Sequence, residues 1–260
     1  MFEHRDLAAE LTKVRDEHAP GAMVLDIERD FETLPPAVAE SLLPVVDRLE
    51  PLDYDEAWIP ADSPDVLQRL ASDAFTVGAP GDGGVTWTRQ TVPPTVLVKP
   101  RLAGSPQGFV DLLIAEALVE VGLEVPEHFL GFFTDSYPPF VDAVPLSPAD
   151  TYQVAAAVFQ AHGGLFSREV FGDWDGTYPD LHAAWLDAGD RLRPRLESLS
   201  DDVASGRTRF ADAAELACNA VKHEIDVPQP FAPLDSDAYR EHGARFAVRW
   251  AQEVFADADG

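Results

Sequence analysis

Between Ser105 and Gly122 the chain carries its least interrupted apolar stretch. Phe109, Val110, Leu112, Leu113, Ile114, Leu118, Val119 and Val121 fall on nearly every side of a helix there, the pattern of an element buried in the interior. Its acidic breaks are Asp111, Glu116 and Glu120, and the last two stand one turn apart on one face. Upstream, Val85, Trp87 and Arg89 alternate with Thr86, Thr88 and Gln90, and a period of two predicts a strand. The glycine-rich stretch from Gly78 to Gly84 separates this run from Phe75 to Val77 and reads as a hairpin loop. Thr95 to Lys99 gives a further strand. Glu56 to Ile59 and Phe140 to Val144 read as two more.

Ser63-Pro64, Ser105-Pro106 and Ser147-Pro148 each place a hydroxyl before a proline. Serine accepts an orphan N–H at a helix start, and proline's fixed φ suits the first helical position. Asp150, three residues after Ser147, approximates a capping box. Gly122 is placed to stop the second of these helices, and Gly163-Gly164 the third. From Ser147 onward the periodicity predicts helices at about 148–162, 179–199, 208–224 and 236–255. Tyr239, Phe246 and Trp250 share helical spacing in the last. Pro194 should kink or split the second. Phe2 to His18 reads as a helix, and Pro126 to Pro148 as a long ordered loop rich in aromatics. The expected class is α+β, mainly α. A small antiparallel sheet around residues 75–99 packs on helices, and a bundle-like helical half follows. Residues 1–260 are expected to form one integrated domain, with a mixed sub-region 1–146 and a helical one 147–260, because no linker-like segment divides them.

Charge changes the picture of the surface. The formal net charge is -27. Lysine occurs only at Lys13, Lys99 and Lys222, and acidic residues run from Glu3 to Asp259 without forming a tail. Such a surface repels itself at ordinary ionic strength. At about 1 M salt the Debye length shrinks to about 3 Å and the repulsion is screened. In this acidic, lysine-poor composition the chain resembles the cytosolic proteins of halophilic archaea, and among them the families of uncharacterised proteins. The resemblance implies salt adaptation and hydrated cations at the acidic surface, and it implies no activity. No h-region opens the chain, and no apolar stretch approaches the roughly 20 residues that span a bilayer. The cytoplasm is the expected location and no membrane association is expected. The overall sign disfavours nucleic acid as a partner. Cys218 is the single cysteine, so an intrachain disulfide is excluded, and its helical surroundings read as a buried thiol.

Candidate chemistry is sparse. The glycine loop, Lys99 and then Glu116 or Glu120 follow the order of a kinase nucleotide-binding lobe. No catalytic loop of H-R-D or H-G-D type and no D-F-G follows, so Lys99 and Glu116 are carried as a possible pocket pair only. His162, His182 and His223 lie on the predicted helices near Asp180 and Asp187 and suit a transition metal if they converge. Asp173, Asp175 and Asp180 fall short of a calcium loop, because the terminal bidentate glutamate is missing. Arg191, Arg193, Arg195, Arg207 and Arg209 concentrate cations within an acidic chain. They read either as an anion- or partner-binding patch or as a salt-bridge belt. The aromatics Phe129, Phe132, Phe133, Tyr137 and Phe140 read either as a partner surface or as core under a loop. The leading expectation is a non-catalytic interaction or regulatory protein with a protein partner. The alternative is a metal-dependent hydrolase using the three histidines and nearby carboxylates. No cofactor is indicated.

Overall fold

The computed structural model of the chain describes residues 1–72, 74–78 and 83–256. Its contacts gather into two compact units. Unit one comprises Met1–Tyr54, Asp65–His128 and Trp174–Ala184. Unit two comprises Asp55–Pro64, Phe129–Asp173 and the chain from Trp185 onward.

Unit one runs through β1 (Phe2–His4), α1 (Ala9–His18), β2 (Met23–Ile27), α2 (Pro36–Ala39), β3 (Arg48–Leu49), α3 (Asp65–Leu70), β4 (Val85–Thr88), β5 (Thr91–Val92), β6 (Thr95–Val98) and α4 (Gln107–Gly122). Four strands form one sheet in the order β1-β2-β6-β4, and β3 pairs with β5 apart from it. The alternating run and the Thr95 run are both strands and pair antiparallel, Val85 with Val98 and Trp87 with Val96. The sheet is mixed, not antiparallel throughout, because β2 lies parallel to β6. Val96, Leu97 and Val98 are buried, as befits an interior strand with neighbours on both sides. The first residues of the expected Phe2–His18 helix form β1 instead, leaving α1 to start at Ala9. Phe75 and Val77 are no strand. They fill the core with Leu25, Leu34, Leu42 and Leu97. Ala79 to Asp82, the middle of the expected hairpin loop, lie outside the described residues.

The apolar helix is α4. It packs on α1 and against β4 and β6, and Trp87 Nε1 donates to Glu120 Oε2 at 2.6 Å. Gly122 ends α4 as expected and also permits close approach. A β-carbon there would fall 2.3 Å from the carbonyl oxygen of His18. The start of the later helix α8 (Pro179–Leu196) is tied to α1. Glu10 accepts the backbone N–H groups of Asp180 and Leu181, the latter at 3.1 Å. Tyr178 donates its hydroxyl to Glu17 at 2.6 Å. A carboxylate at a helix N-terminus satisfies orphan donors and meets the positive end of the dipole.

Unit two contains α5 (Phe129–Phe133), α6 (Tyr137–Ala143), α7 (Pro148–Gly172), α8 from Trp185, α9 (Leu199–Ala204), α10 (Phe210–Val221) and α11 (Asp237–Ala256). Ser147 caps α7, accepting the N–H of Asp150 at 3.2 Å. Pro106, by contrast, is itself the cap residue of α4, which has no side-chain cap. Gly163 and Gly164 do not stop α7, which runs ten residues past the expected end, to Gly172. At Gly164 a β-carbon would meet Lys222, the residue closing α10, at 3.0 Å, whereas Gly163 faces open space. The glycine serves helix–helix contact, which outweighs its low propensity. Pro194 lies in the last turn of α8, and the chain re-enters helix at α9.

Two expected strands are helical. Glu56–Trp58 is a 3₁₀ turn, opened by Asp55, which accepts the N–H of Ala57. Phe140 belongs to α6. The segment from Pro126 to Pro148 is therefore mostly helix, because Phe133, Tyr137 and Phe140 recur at helical spacing, and the Phe133 ring meets the other two in tilted contacts with centroids 4.7–5.8 Å apart. Phe129, Phe133, Tyr137 and Phe140 are buried, so these four belong to the core and offer no partner surface.

Candidate functional site

Gly243 breaks α11. Its φ of 49° and ψ of -126° lie where glycine alone is comfortable. Thr134, between α5 and α6, has a φ of 51°, uncommon for a β-branched residue. Its hydroxyl lies 2.7 Å from the carbonyl of Phe133 and 3.0 Å from the Asp135 carboxylate. Residues beside these two positions line a cleft of about 400 Å³, within the usual range of small-molecule sites. Asp135, Ser136, Glu241, His242 and Arg245 supply its polar lining, with Phe132 and Phe133 among its walls. Backbone held in sparsely populated regions clusters at binding and switch sites.

His162, carried as a metal candidate, supports this break. Its ring sits among Phe132, Phe166 and Tyr239 at centroid distances of 4.8–5.3 Å. Burial, followed by the Arg240 charge, lowers its pKa against a backbone hydrogen bond to Arg240, which raises it. Nε2 lies 3.3 Å from the carbonyl oxygen of Arg240, three residues before Gly243. A helix break deprives the preceding carbonyls of their i+4 donors, and the neutral imidazole with hydrogen on Nε2 provides one.

The other sequence candidates sit elsewhere. His223 Nδ1 lies 3.1 Å from the carbonyl oxygen of Trp185, and the ring stacks on that indole at 6.0 Å. His182, in unit one, faces Asp175 at 3.7 Å. Among the described residues no three His, Cys, Asp or Glu side chains gather as a metal site. Arg191 pairs with Asp187, Arg193 with Asp190, Arg207 with Asp202, and Arg209 with Asp150 and Asp212. Arg195 is exposed. Lys99 is 1 % exposed with Nζ 4.9 Å from the centre of the Phe31 ring, and Glu116 is 9 % exposed. Burial pushes the Cys218 thiol far up.

Sequence reasoning missed the cleft and a second polar cluster, in unit one, around Glu127 and His128. The trace of the first is Gly243 inside a helical pattern, since such a glycine costs about 1 kcal/mol relative to alanine and calls for a reason. The second left no trace, because an adjacent Glu-His looks like ordinary surface.

The whole chain belongs to one family, described as a family of unknown function (DUF7089), which matches residues 1–258. No curated protein and no solved structure matches it. No described helix is long and apolar enough to cross a membrane.

Proposed function

We propose that this chain is a salt-adapted, non-catalytic binding protein of regulatory type, and that the cleft beside Gly243 takes a small zwitterionic ligand. The cleft carries the reading. Asp135 and Glu241 offer negative charge, Arg245 positive charge and Ser136 a hydroxyl, within about 400 Å³. A ligand bearing both charges satisfies such a lining, and charged hydrogen bonds contribute about 1.5–3 kcal/mol each. The test is a thermal-shift panel of amino acids and betaines in molar KCl, on the wild type and Arg245→Glu. At least one compound should stabilise the wild type and bind the variant at least about tenfold more weakly. A panel without effect on the wild type, or with equal effect on both, refutes the reading.

Salt adaptation rests on the net charge of -27 spread along the chain. The melting temperature should rise from low to molar KCl as self-repulsion is screened and hydrated cations populate the acidic surface. A flat or falling melting temperature across that range counts against it.

A further inference from the structure

The segment after α4 is anchored by groups buried beneath it. The Glu127 side chain is 4 % exposed and that of His128 7 %. Glu127 Oε1 accepts from Gln90 Nε2 at 2.6 Å, and Oε2 accepts from the backbone N–H of Arg89 at 3.1 Å. The hydroxyl of Thr88 also donates to this carboxyl. Gln90 is itself fixed, donating to the Thr76 carbonyl at 2.9 Å and accepting the N–H of Leu52 at 3.1 Å. The ring of His128 donates to the Thr76 backbone, while its buried Nε2 has no hydrogen-bond partner among the described residues. In a neutral imidazole with one nitrogen donating, the other holds a lone pair. That nitrogen is therefore Nε2, and it faces Glu127 Oε1 at 3.7 Å. An ionised Glu127 would set two acceptors against each other in a buried place, an arrangement that invites one proton.

We propose that Glu127 and His128 form a proton-exchange pair: on folding, the proton that His128 carries in the open chain is held instead by the Glu127 carboxyl, facing His128 Nε2, so that anchoring of this segment is indifferent to mildly acid pH. Among the described residues, Tyr54 and Arg89 face the pair from other segments. Tyr54 stands edge-on to the His128 ring at 6.3 Å, its phenol kept un-ionised by burial and then by the Glu127 charge. Arg89 supplies a positive charge that favours an ionised Glu127. Burial outweighs it.

The electrostatics agree with this geometry. Burial raises Glu127 from 4.5 to about 7, against its hydrogen bonds. Burial lowers His128 from 6.5 to about 4, against the Thr76 bond. A raised carboxyl contributes stability below pH 4.5 that is lost as pH rises towards 7. A lowered imidazole contributes stability above pH 6.5 that is lost as pH falls towards 4. Between pH 4.5 and 6.5 the folded pair and the open pair each bind one proton, so the two dependences cancel.

Hydrogen exchange on the full chain tests this, read at the amide of Arg89, whose N–H donates to Glu127. Exchange is corrected for its intrinsic pH dependence and referred to an amide of α7. In the wild type the opening constant of this segment stays level from pH 4.5 to 6.5. In Glu127→Gln only the histidine term remains, and opening falls by at least about tenfold over that window. In His128→Gln only the carboxyl term remains, and opening rises by at least about tenfold. Variant slopes parallel to the wild type overturn the proposal. Should a variant fail to fold, nitrogen shifts of the wild-type imidazole at pH 5.5 decide alone. The proposal requires a neutral ring with Nε2 unprotonated, and a doubly protonated ring overturns it.

Discussion

Gly163 and Gly164 are neighbours in sequence and in one helix, yet alanine should stabilise at the first and bring no gain, or a loss, at the second. At Gly163 the added methyl meets open space. Only the helix-propensity gain remains, about 1 kcal/mol of stabilisation. At Gly164 the same gain applies, but the methyl would lie 3.0 Å from Lys222 Cβ and 3.1 Å from its backbone nitrogen. Two of the three nearest atoms are backbone at the close of α10, so relief requires α7 and α10 to part by a few tenths of an ångström. Overpacking of this kind costs about 1–3 kcal/mol, which makes Gly164→Ala neutral to about 2 kcal/mol destabilising. Propensity cancels in the comparison, so the two variants should differ by about 1–3 kcal/mol. In melting temperature this amounts to roughly 2–4 °C per kcal/mol for a chain of this size class. Urea unfolding by circular dichroism in molar KCl reads the difference, and an unchanged m value confirms that the midpoint shift reports stability. If Gly164→Ala stabilises as much as Gly163→Ala, the tight contact of α7 with Lys222 is refuted.

Two other perturbations probe the cleft and the core. Gly243→Ala forces a side chain into φ of 49° and should destabilise by about 1–3 kcal/mol. It should also abolish any ligand-induced thermal shift, and a variant as stable as wild type argues against the break in α11. Cys218 is buried with its thiol pushed far up, so it should react with a disulfide reagent only on unfolding. Prompt stoichiometric reaction of the folded protein contradicts that placement.

The elements legible in the sequence are those whose signal is local. The all-round apolar pattern of α4, the alternation of β4 and the Ser147 cap each act within a few residues, and each lies where the pattern put it. β2 was illegible because its partner β6 lies some seventy positions on in parallel register, Met23 beside Thr95. The segment from Pro126 misled for a different reason. Pro138 and Pro139 sit in the first turn of α6, where the missing N–H costs little, so proline there marks a helix start. Gly163-Gly164 were read by conformational freedom, whereas Gly164 is set by the nearness of Lys222. The site residues were hidden in the same way. Asp135 and Arg245 share a cleft across more than a hundred positions, and the hydrogen bonds that hold Glu127 come from Thr88, Arg89 and Gln90, nearly forty positions upstream.

The bonds from Glu10 to the start of α8 set a clock. Glu10 and Leu181 are 171 positions apart, and at about 5–20 residues per second a ribosome takes roughly 10–30 s to deliver the second after the first. During that interval α1 is present, but the Tyr178 hydroxyl and the two N–H groups that its carboxylates receive do not yet exist. Unit one is thus the first to begin and cannot be finished until α8 has begun to emerge. A nascent chain of this protein spends most of its synthesis with its amino-terminal unit waiting for its last piece.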